Sequence, residues 1–297
     1  MRSVLQHVMV TGAASGVGRA CTRLLEDRGY EVLACVRREA DAEAAEREHS
    51  KSVRPLVVEL RDQQSIERAA LAAGRITGGE GLRGLVNCAG NLYCGPLEYF
   101  PREDWFDQYD VNVFGTMALT RAMLPLLRTA RGRIVTIGAV GGGVALPFFG
   151  AIASSKIALE ALHDCLRREL HPFGIHVTII EPGGIDTPAN DKMRRSVQEY
   201  LCRLEPRGID RYGRPMEAFT HWADLMHKRN LRAEQVAGAV FKALRARRPR
   251  TRYRIGLDSR SAALLGWLLP DRLFDALLLW LASLPIRFGA WADESRG

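Results

Sequence analysis

The sequence predicts an α/β protein, a parallel β-sheet covered by helices on both faces. Three observations carry that prediction. Short apolar runs alternate with helix-length segments for most of the chain, the pattern of successive right-handed βαβ units. Several of those runs are continuous and rich in Val and Ile, as strands buried on both faces are. The chain has 297 residues, 47% of them hydrophobic, enough for one sizeable core.

The strand candidates, in order, are His7–Val10, Val32–Val36, Leu56–Val58, Gly84–Asn87, Arg133–Ile137, His176–Ile180 and Tyr253–Leu257. Helical segments between them include Gly18–Arg28, Ser65–Ala73, Val111–Thr129, Ser154–Leu170 and Ala233–Ala246. No internal repeat or low-complexity linker interrupts the pattern before about residue 258. The tail then changes character. Ala262–Leu269 and Leu273–Leu284 are strongly apolar and are separated by Pro270-Asp271-Arg272. Each is too short to span a bilayer. A packed lid, a dimer contact or an interfacial membrane helix are the readings left open. The expected organisation is one domain over 1–257 and a helical extension over 258–297 that packs on it.

Charged residues make up 26% of the chain and the formal net charge is +8, a balance that favours anionic partners such as nucleotide phosphates or anionic lipid. Seven of the thirteen residues from Lys242 to Arg254 are Lys or Arg. No nucleic-acid motif or aromatic interleaving accompanies them, so the patch reads as a solvated face and no nucleic-acid partner is expected. The six cysteines form no CxxC pair and no His/Cys cluster with zinc spacing. They read as reduced thiols, with no metal site. The first residues run directly into Val8-Met9-Val10, without the pattern of a signal peptide. A cytoplasmic location is the expectation.

Function enters at the first strand-to-helix turn, Thr11-Gly12-Ala13-Ala14-Ser15-Gly16-Val17-Gly18. Glycines here permit a tight turn and let backbone approach a pyrophosphate. The helix N-terminus then offers free N–H groups and a positive dipole end. The second strand ends Val36-Arg37-Arg38, with no carboxylate to accept from an adenosine 2′-hydroxyl. Two guanidinium forks suited to a 2′-phosphate stand there instead. That favours NADP over NAD, although a solvated pair at a helix entrance would read the same way.

With Asn87-Cys88-Ala89-Gly90, Asn112 in Asp110-Val111-Asn112-Val113-Phe114-Gly115, and Pro182-Gly183-Gly184-Ile185-Asp186-Thr187, the chain resembles the short-chain dehydrogenase/reductase family over about residues 6 to 257. Its tail resembles that of the hydroxysteroid and retinol dehydrogenase branch. The resemblance implies a Rossmann-like, doubly wound sheet, usually of seven strands, and an assembly, commonly a homodimer or homotetramer. It implies that Gly12, Gly16 and Gly18, with Ser15 and Val17, line the pyrophosphate. Glu59 and Leu60 would lie beside the adenine, and Asn87, Ala89 and Gly90 would flank the adenosine ribose. Pro182, Gly183, Ile185 and Thr187 would meet the nicotinamide amide, and Lys156 would bond the nicotinamide ribose.

Working members of that family carry a tyrosine four residues before the lysine and a serine thirteen residues before the tyrosine. The i, i+4 spacing puts the phenol and the ammonium on one helix face, where the ammonium lowers the phenol's pKa. In Gly150-Ala151-Ile152-Ala153-Ser154-Ser155-Lys156, Ile152 stands at the tyrosine position and Ala139 at the serine position. Neither side chain can donate or accept a hydrogen bond. Asn112 and Lys156 remain. Tyr93 is the candidate replacement acid, and His163 reads as a packing histidine. Pro147-Phe148-Phe149 and the helix-rich segment Asp191–Lys228 would shape a pocket for a bulky apolar molecule. Four readings follow: an oxidoreductase with an altered mechanism, a nucleotide-binding protein without turnover, a non-redox enzyme on the same scaffold, or a deliberately inactivated chain.

Overall fold

A computed structural model describes residues 6–139, 144–227 and 230–285. Seven parallel strands form one sheet in the order β3-β2-β1-β4-β5-β6-β9. They are β1 His7–Thr11, β2 Glu31–Val36, β3 Val53–Val57, β4 Gly84–Asn87, β5 Arg133–Ile137, β6 His176–Pro182 and β9 Arg252–Ile255. The short strands β7 Ile185–Asp186 and β8 Leu231–Arg232 pair with each other beside it. Chain order reverses between β1 and β4, and doubly wound sheets bind ligands at that switch, outside the carboxyl ends of the strands.

Alternation along each strand divides the core between the two faces. Val8, Val10, Val86 and Val135 pack with α1 Gly16–Asp27 and α9 Ala233–Arg245. Met9, Leu33, Leu85 and Ile134 pack with α3 Gln63–Thr77, α5 Thr116–Ala130 and the end of α6 Gly150–Leu170. The helix α2 Glu39–Glu48 covers β2 and β3.

Three expectations shift. The third strand begins three residues earlier than its apolar signal, at Val53 rather than Leu56, and contains Pro55. A proline, which cannot donate to the ladder, is tolerated because β3 is an edge strand. The helix expected over Val111–Thr129 is instead α4 Arg102–Tyr109, a π-helical turn Asp110–Gly115 and then α5. A Cβ on Gly115 would lie 2.4 Å from the Leu60 carbonyl oxygen. The turn therefore presses against the loop after β3, and this tertiary contact has no periodic signal. The last strand ends at Ile255. Gly256 turns the chain with φ +100°, and Leu257 opens a helix.

Two further layers close the carboxyl end of the sheet. The first is α7 Ala189–Arg203 with α8 Pro206–His227; Lys228, the end of the expected helix-rich segment, lies outside the described residues. Met193, Val197, Tyr200 and Met216 pack there against Phe100 and Ala151. The second is a hairpin of α10 Leu257–Leu268 and α11 Asp271–Leu281. The hairpin is anchored at both ends. Ser259 Oγ donates to the Glu181 carbonyl at 2.8 Å, and the Gly184 amide donates to Asp258 Oδ2 at 2.8 Å. Ala282 and Leu284 are buried beside Phe219. Between these anchors Leu264, Trp267, Leu268, Leu273 and Trp280 are exposed, Trp267 by 82%. No helix among the described residues is long and apolar enough to cross a membrane.

Candidate active site and nucleotide cleft

The glycine turn after β1 is shaped by close approach. Gly12 and Gly16 adopt φ +66° and +53°, the left-handed region that favours glycine. A Cβ on Gly18 would sit 2.2 Å from the Gly12 carbonyl oxygen, so the first turn of α1 folds tightly onto the strand end. Ser15 caps α1 without a side-chain hydrogen bond, which leaves its first N–H groups for another acceptor. Thr11 fixes the neighbouring loop. Its hydroxyl oxygen accepts from the Cys88 and Ala89 amides, both at 3.0 Å.

This turn is one wall of a cleft of about 770 Å³. Gly12, Ser15, Gly16, Val17, Gly18, Arg37, Arg38, Glu59, Leu60, Ala89, Gly90, Ile185 and Thr187 all line it, as does Tyr93. Thr11, Asp41, Arg61, Cys88, Asn91, Arg195 and Glu199 line it too, and only Thr11 and Cys88 stood in a recognisable motif. Arg195 and Glu199 come from α7. Arg38 is held by Asp41, Nε to Oδ2 at 2.9 Å and Nη2 to Oδ1 at 2.8 Å. Arg37 is exposed beside it.

Asn87, Asn112, Ala139, Ile152, Lys156, Pro182 and Gly183 are not among the residues that line the cleft. Asn87 Nδ2 donates to Thr120 Oγ1 and Thr136 Oγ1 at 3.3 and 3.2 Å, tying β4 to α5 and β5. The Thr136 hydroxyl lies 2.6 Å from His163 Nε2, and His163 Nδ1 lies 2.8 Å from the Leu159 carbonyl. That carbonyl can only accept, so Nδ1 carries the proton and Nε2 accepts. Burial holds the imidazole down to about 4. His163 is a neutral packing group linking α6 to the sheet.

Asn112 is 1% exposed in the π-helical turn. Its Oδ1 accepts from the Asn91 amide at 2.7 Å, and its Nδ2 donates to the Asn91 carbonyl and to Ser155 Oγ at 3.1 and 3.2 Å. Lys156 Nζ donates to the Ile137 carbonyl at 2.8 Å. The side chain keeps some accessible surface, yet protein atoms crowd the ammonium, and desolvation lowers its pKa to about 8. Ile152 lies one turn earlier on α6, and Ser155 Oγ donates to its carbonyl at 2.8 Å. Ala139 follows β5 directly after Gly138.

The Tyr93 phenol donates to Asp107 Oδ2 at 2.7 Å, and Asp107 also receives Arg61 Nε at 2.7 Å. Burial, with the Asp107 carboxylate next, pushes that phenol up to about 12. An aromatic layer of Phe148, Phe149, Phe219 and Trp222 joins the start of α6 to α8.

The comparisons agree with this architecture. The family model described as short chain dehydrogenase matches residues 6–198. Human retinol dehydrogenase 16 is 35% identical over 296 residues, covering 96% of this chain and 93% of that protein. The NADPH-dependent 3-dehydrocapnine reductase of Ornithobacterium rhinotracheale is 32% identical over 278 residues, covering 92% and 96%. A short-chain dehydrogenase from Streptomyces avermitilis superposes with a TM-score of 0.74 at 25% identity, covering 100% and 99%. One from Burkholderia cenocepacia J2315, solved in complex with NADP, superposes with a TM-score of 0.71 at 23% identity, covering 96% and 100%. The chain belongs to the short-chain dehydrogenase family, in its hydroxysteroid/retinol dehydrogenase-like branch.

Proposed function

We propose that the chain is an NADP(H)-binding oxidoreductase of a bulky apolar alcohol or ketone whose usual Ser/Tyr proton-transfer pair has been replaced by hydrocarbon. The observation that carries this reading is the contrast around α6: Lys156 and Asn112 are held in place while Ile152 and Ala139 occupy the two positions that should handle the proton.

The residues fit a dinucleotide. A Cβ at Gly12 or Gly18 would press on the Ala89 backbone or the Gly12 carbonyl, so the glycines keep the turn tight at the start of α1, which lacks a side-chain cap and can receive a pyrophosphate. Arg37 and Arg38 suit a 2′-phosphate, and an NADPH-dependent reductase among the relatives supports the same choice. Gly12, Gly16 and Gly18 would hold the pyrophosphate, Ile185 and Thr187 the nicotinamide amide, and Lys156 the nicotinamide ribose. The bound nicotinamide supplies hydride chemistry. The chain's own residues orient the substrate and exclude water.

A positioned general acid contributes about 10²–10⁴-fold in rate, so ordinary turnover is impaired by roughly that factor. Tyr93 serves here as a strut bonded to Asp107, not as the replacement acid. NADPH and NADH fluorescence titrations test the binding claim. Retinoid and steroid turnover by the native protein and by A139S/I152Y tests the rest. A gain confined to the double variant supports the lost pair. Conversion of a metabolite with no change in nicotinamide redox state would favour a non-redox enzyme. A second reading, a nucleotide-binding sensor or partner subunit, is favoured by the same Ile152 and is upheld if neither protein turns over.

Assembly into a homodimer or homotetramer and contact with an apolar partner belong to this proposal. The unanchored outer face of the α10–α11 hairpin, a helical extension on the same domain, supports them. Light scattering at two concentrations and flotation with vesicles distinguish self-assembly from peripheral membrane contact.

A further inference from the structure

We propose that Cys21 and Cys88 form a reversible oxidation site in the wall of the nucleotide cleft, closing to a disulfide when a hydroperoxide reaches Cys88. The bond itself does not depend on the oxidoreductase reading above; its effect on dinucleotide binding does.

The fold brings the two thiols together from distant segments. Cys21 lies on α1, one turn beyond Val17 and on the same helix face. It is 1% exposed and packs in the core with Val10 and Val86. Cys88 follows β4 directly, packs against the same core and is half-buried. The two side chains are hydrogen-bonded to each other. Cys88 lines the cleft of about 770 Å³, and Cys21 does not. A small oxidant in the cleft therefore meets Cys88 first, with a second thiol already against its far side.

The other cysteines lack this arrangement. Cys35 also lines the cleft, but it packs with Met9 and Leu85 on the opposite face of the sheet. Burial alone pushes its thiol, and that of Cys94, up to about 12, and no second sulfur takes part. Cys165 and Cys202 are exposed on α6 and α7.

The pair also divides the work. The hydrogen bond to Cys88, and then burial, hold the Cys21 thiol well above its ordinary range, so Cys21 keeps its proton while Cys88 reacts. The Lys156 ammonium lies within electrostatic range of Cys88, and negative charge that develops on that sulfur during attack meets a cation. The chemistry balances in two steps. The Cys88 sulfur attacks the outer oxygen of the hydroperoxide, the O–O bond breaks, and the remaining oxygen leaves with the thiol proton as alcohol or water. Cys88 is then a sulfenic acid. The Cys21 sulfur attacks it, the S–O bond breaks, and the departing hydroxide takes the Cys21 proton as a second water. Two thiols lose two electrons, and the hydroperoxide gains them.

An S–S bond is about 2.05 Å long, shorter than any contact between two intact thiols, so closure draws α1 and the loop after β4 together. There is little slack between them. Thr11 Oγ1 already holds the Cys88 and Ala89 amides at 3.0 Å, and a Cβ on Gly12 would stand 3.1 Å from the Ala89 backbone. The segments that shift are those proposed to hold the pyrophosphate and the adenosine ribose. The disulfide should weaken NADPH binding by about 10-fold, and bound NADPH should favour the dithiol by the same factor, a shift of about 30 mV for a two-electron couple.

The test treats the reduced full chain with hydrogen peroxide, with and without NADPH, then alkylates free thiols and digests with trypsin in the absence of reductant. The expected product is peptide 20–23 joined to peptide 84–102, with fragmentation assigning the bond to Cys88 rather than Cys94. Dithiothreitol should release it, and NADPH should suppress it. Fluorescence titration of the oxidised and reduced protein reads the affinity change. C21A should lose the linkage and leave Cys88 to run on to a sulfinic acid that dithiothreitol does not reverse. C88A should lose the linkage and keep Cys21 alkylatable. Native protein whose Cys21 stays alkylatable after peroxide, or whose Cys88 is joined to a different cysteine, would overturn the inference. A Cys21–Cys88 bond that leaves NADPH affinity unchanged overturns its role in the cleft. Reduced protein that binds no NADPH would instead overturn the oxidoreductase reading, and the peptide measurement would still decide the bond.

Discussion

The two halves of the cleft are built to different standards. At the pyrophosphate end, backbone shape does the selecting. Gly12, Gly16 and Gly18 leave room that no other residue would leave, and Thr11 pins the opposing Cys88–Ala89 amides. At the end we propose for hydride transfer, the supporting framework of Asn112, Asn91, Ser155 and Lys156 is equally well bonded, while Ala139 and Ile152, at the two positions proposed to meet substrate oxygen, are hydrocarbon. On the proposed reading, nucleotide binding and proton transfer are separable properties of one fold, carried by different residues and open to separate perturbation.

The largest expected effect repairs the weaker half. A139S/I152Y should raise turnover of an apolar alcohol or ketone by about 10²–10⁴-fold, with NADPH affinity nearly unchanged, as read by steady-state kinetics and fluorescence. An unchanged rate would show that the hydride end lacks more than this pair. The next effect damages the stronger half. Gly18→Ala forces a Cβ to within 2.2 Å of the Gly12 carbonyl oxygen. Displacing that backbone should weaken NADPH and NADH binding alike, by roughly 10²-fold. Nothing at Asn112 or Lys156 should respond.

A smaller change sharpens the picture at the adenosine end. Arg37→Ala should weaken NADPH by roughly 10-fold and leave NADH nearly unaffected, the loss of one charge-assisted contact. Arg38→Ala should do less, because Arg38 is already tied to Asp41. Equal losses for the two nucleotides would break the 2′-phosphate assignment.

The smallest effect lies beneath the hydride end. Burial raises the Glu160 carboxyl to about 7, so the folded state holds that proton more tightly than the unfolded chain does. The stability it contributes is complete below the ordinary value of 4.5 and is lost as pH rises through about 7. Glu160→Gln should therefore flatten the fall in Tm between pH 5 and pH 8 by a few degrees, read by thermal denaturation. His163 acts in the opposite sense. Its contribution disappears as pH falls from 6.5 through about 4.

Much of this architecture was legible in the residues alone. Continuous Val/Ile runs marked β1, β2, β5 and β6, and glycine spacing marked the turn between β1 and α1. The absence of the phenol could be counted back from Lys156. What stayed hidden depends on contacts between distant segments. Arg195 and Glu199 reach the cleft only because α7 folds back over it. The Arg61–Asp107–Tyr93 chain joins residues separated by 46 and 14 positions, which no local period encodes. The π-helical turn arises where Gly115 meets the Leu60 carbonyl. The start of α10 was missed because Leu257 looks like a strand residue until its exposure is known.

Asp258 joins two parts of the chain that would otherwise be counted separately. Its carboxylate fills the space where a side chain on Gly183 would begin and accepts the Gly184 amide. The segment leading to Ile185 and Thr187 is thus braced from outside by the first turn of the hairpin. Shortening the chain at 257 would leave that amide without its acceptor and loosen the segment we propose to meet the nicotinamide. The exposed tryptophans Trp267 and Trp280 thus belong to the same helical hairpin whose first turn braces the wall of the cleft.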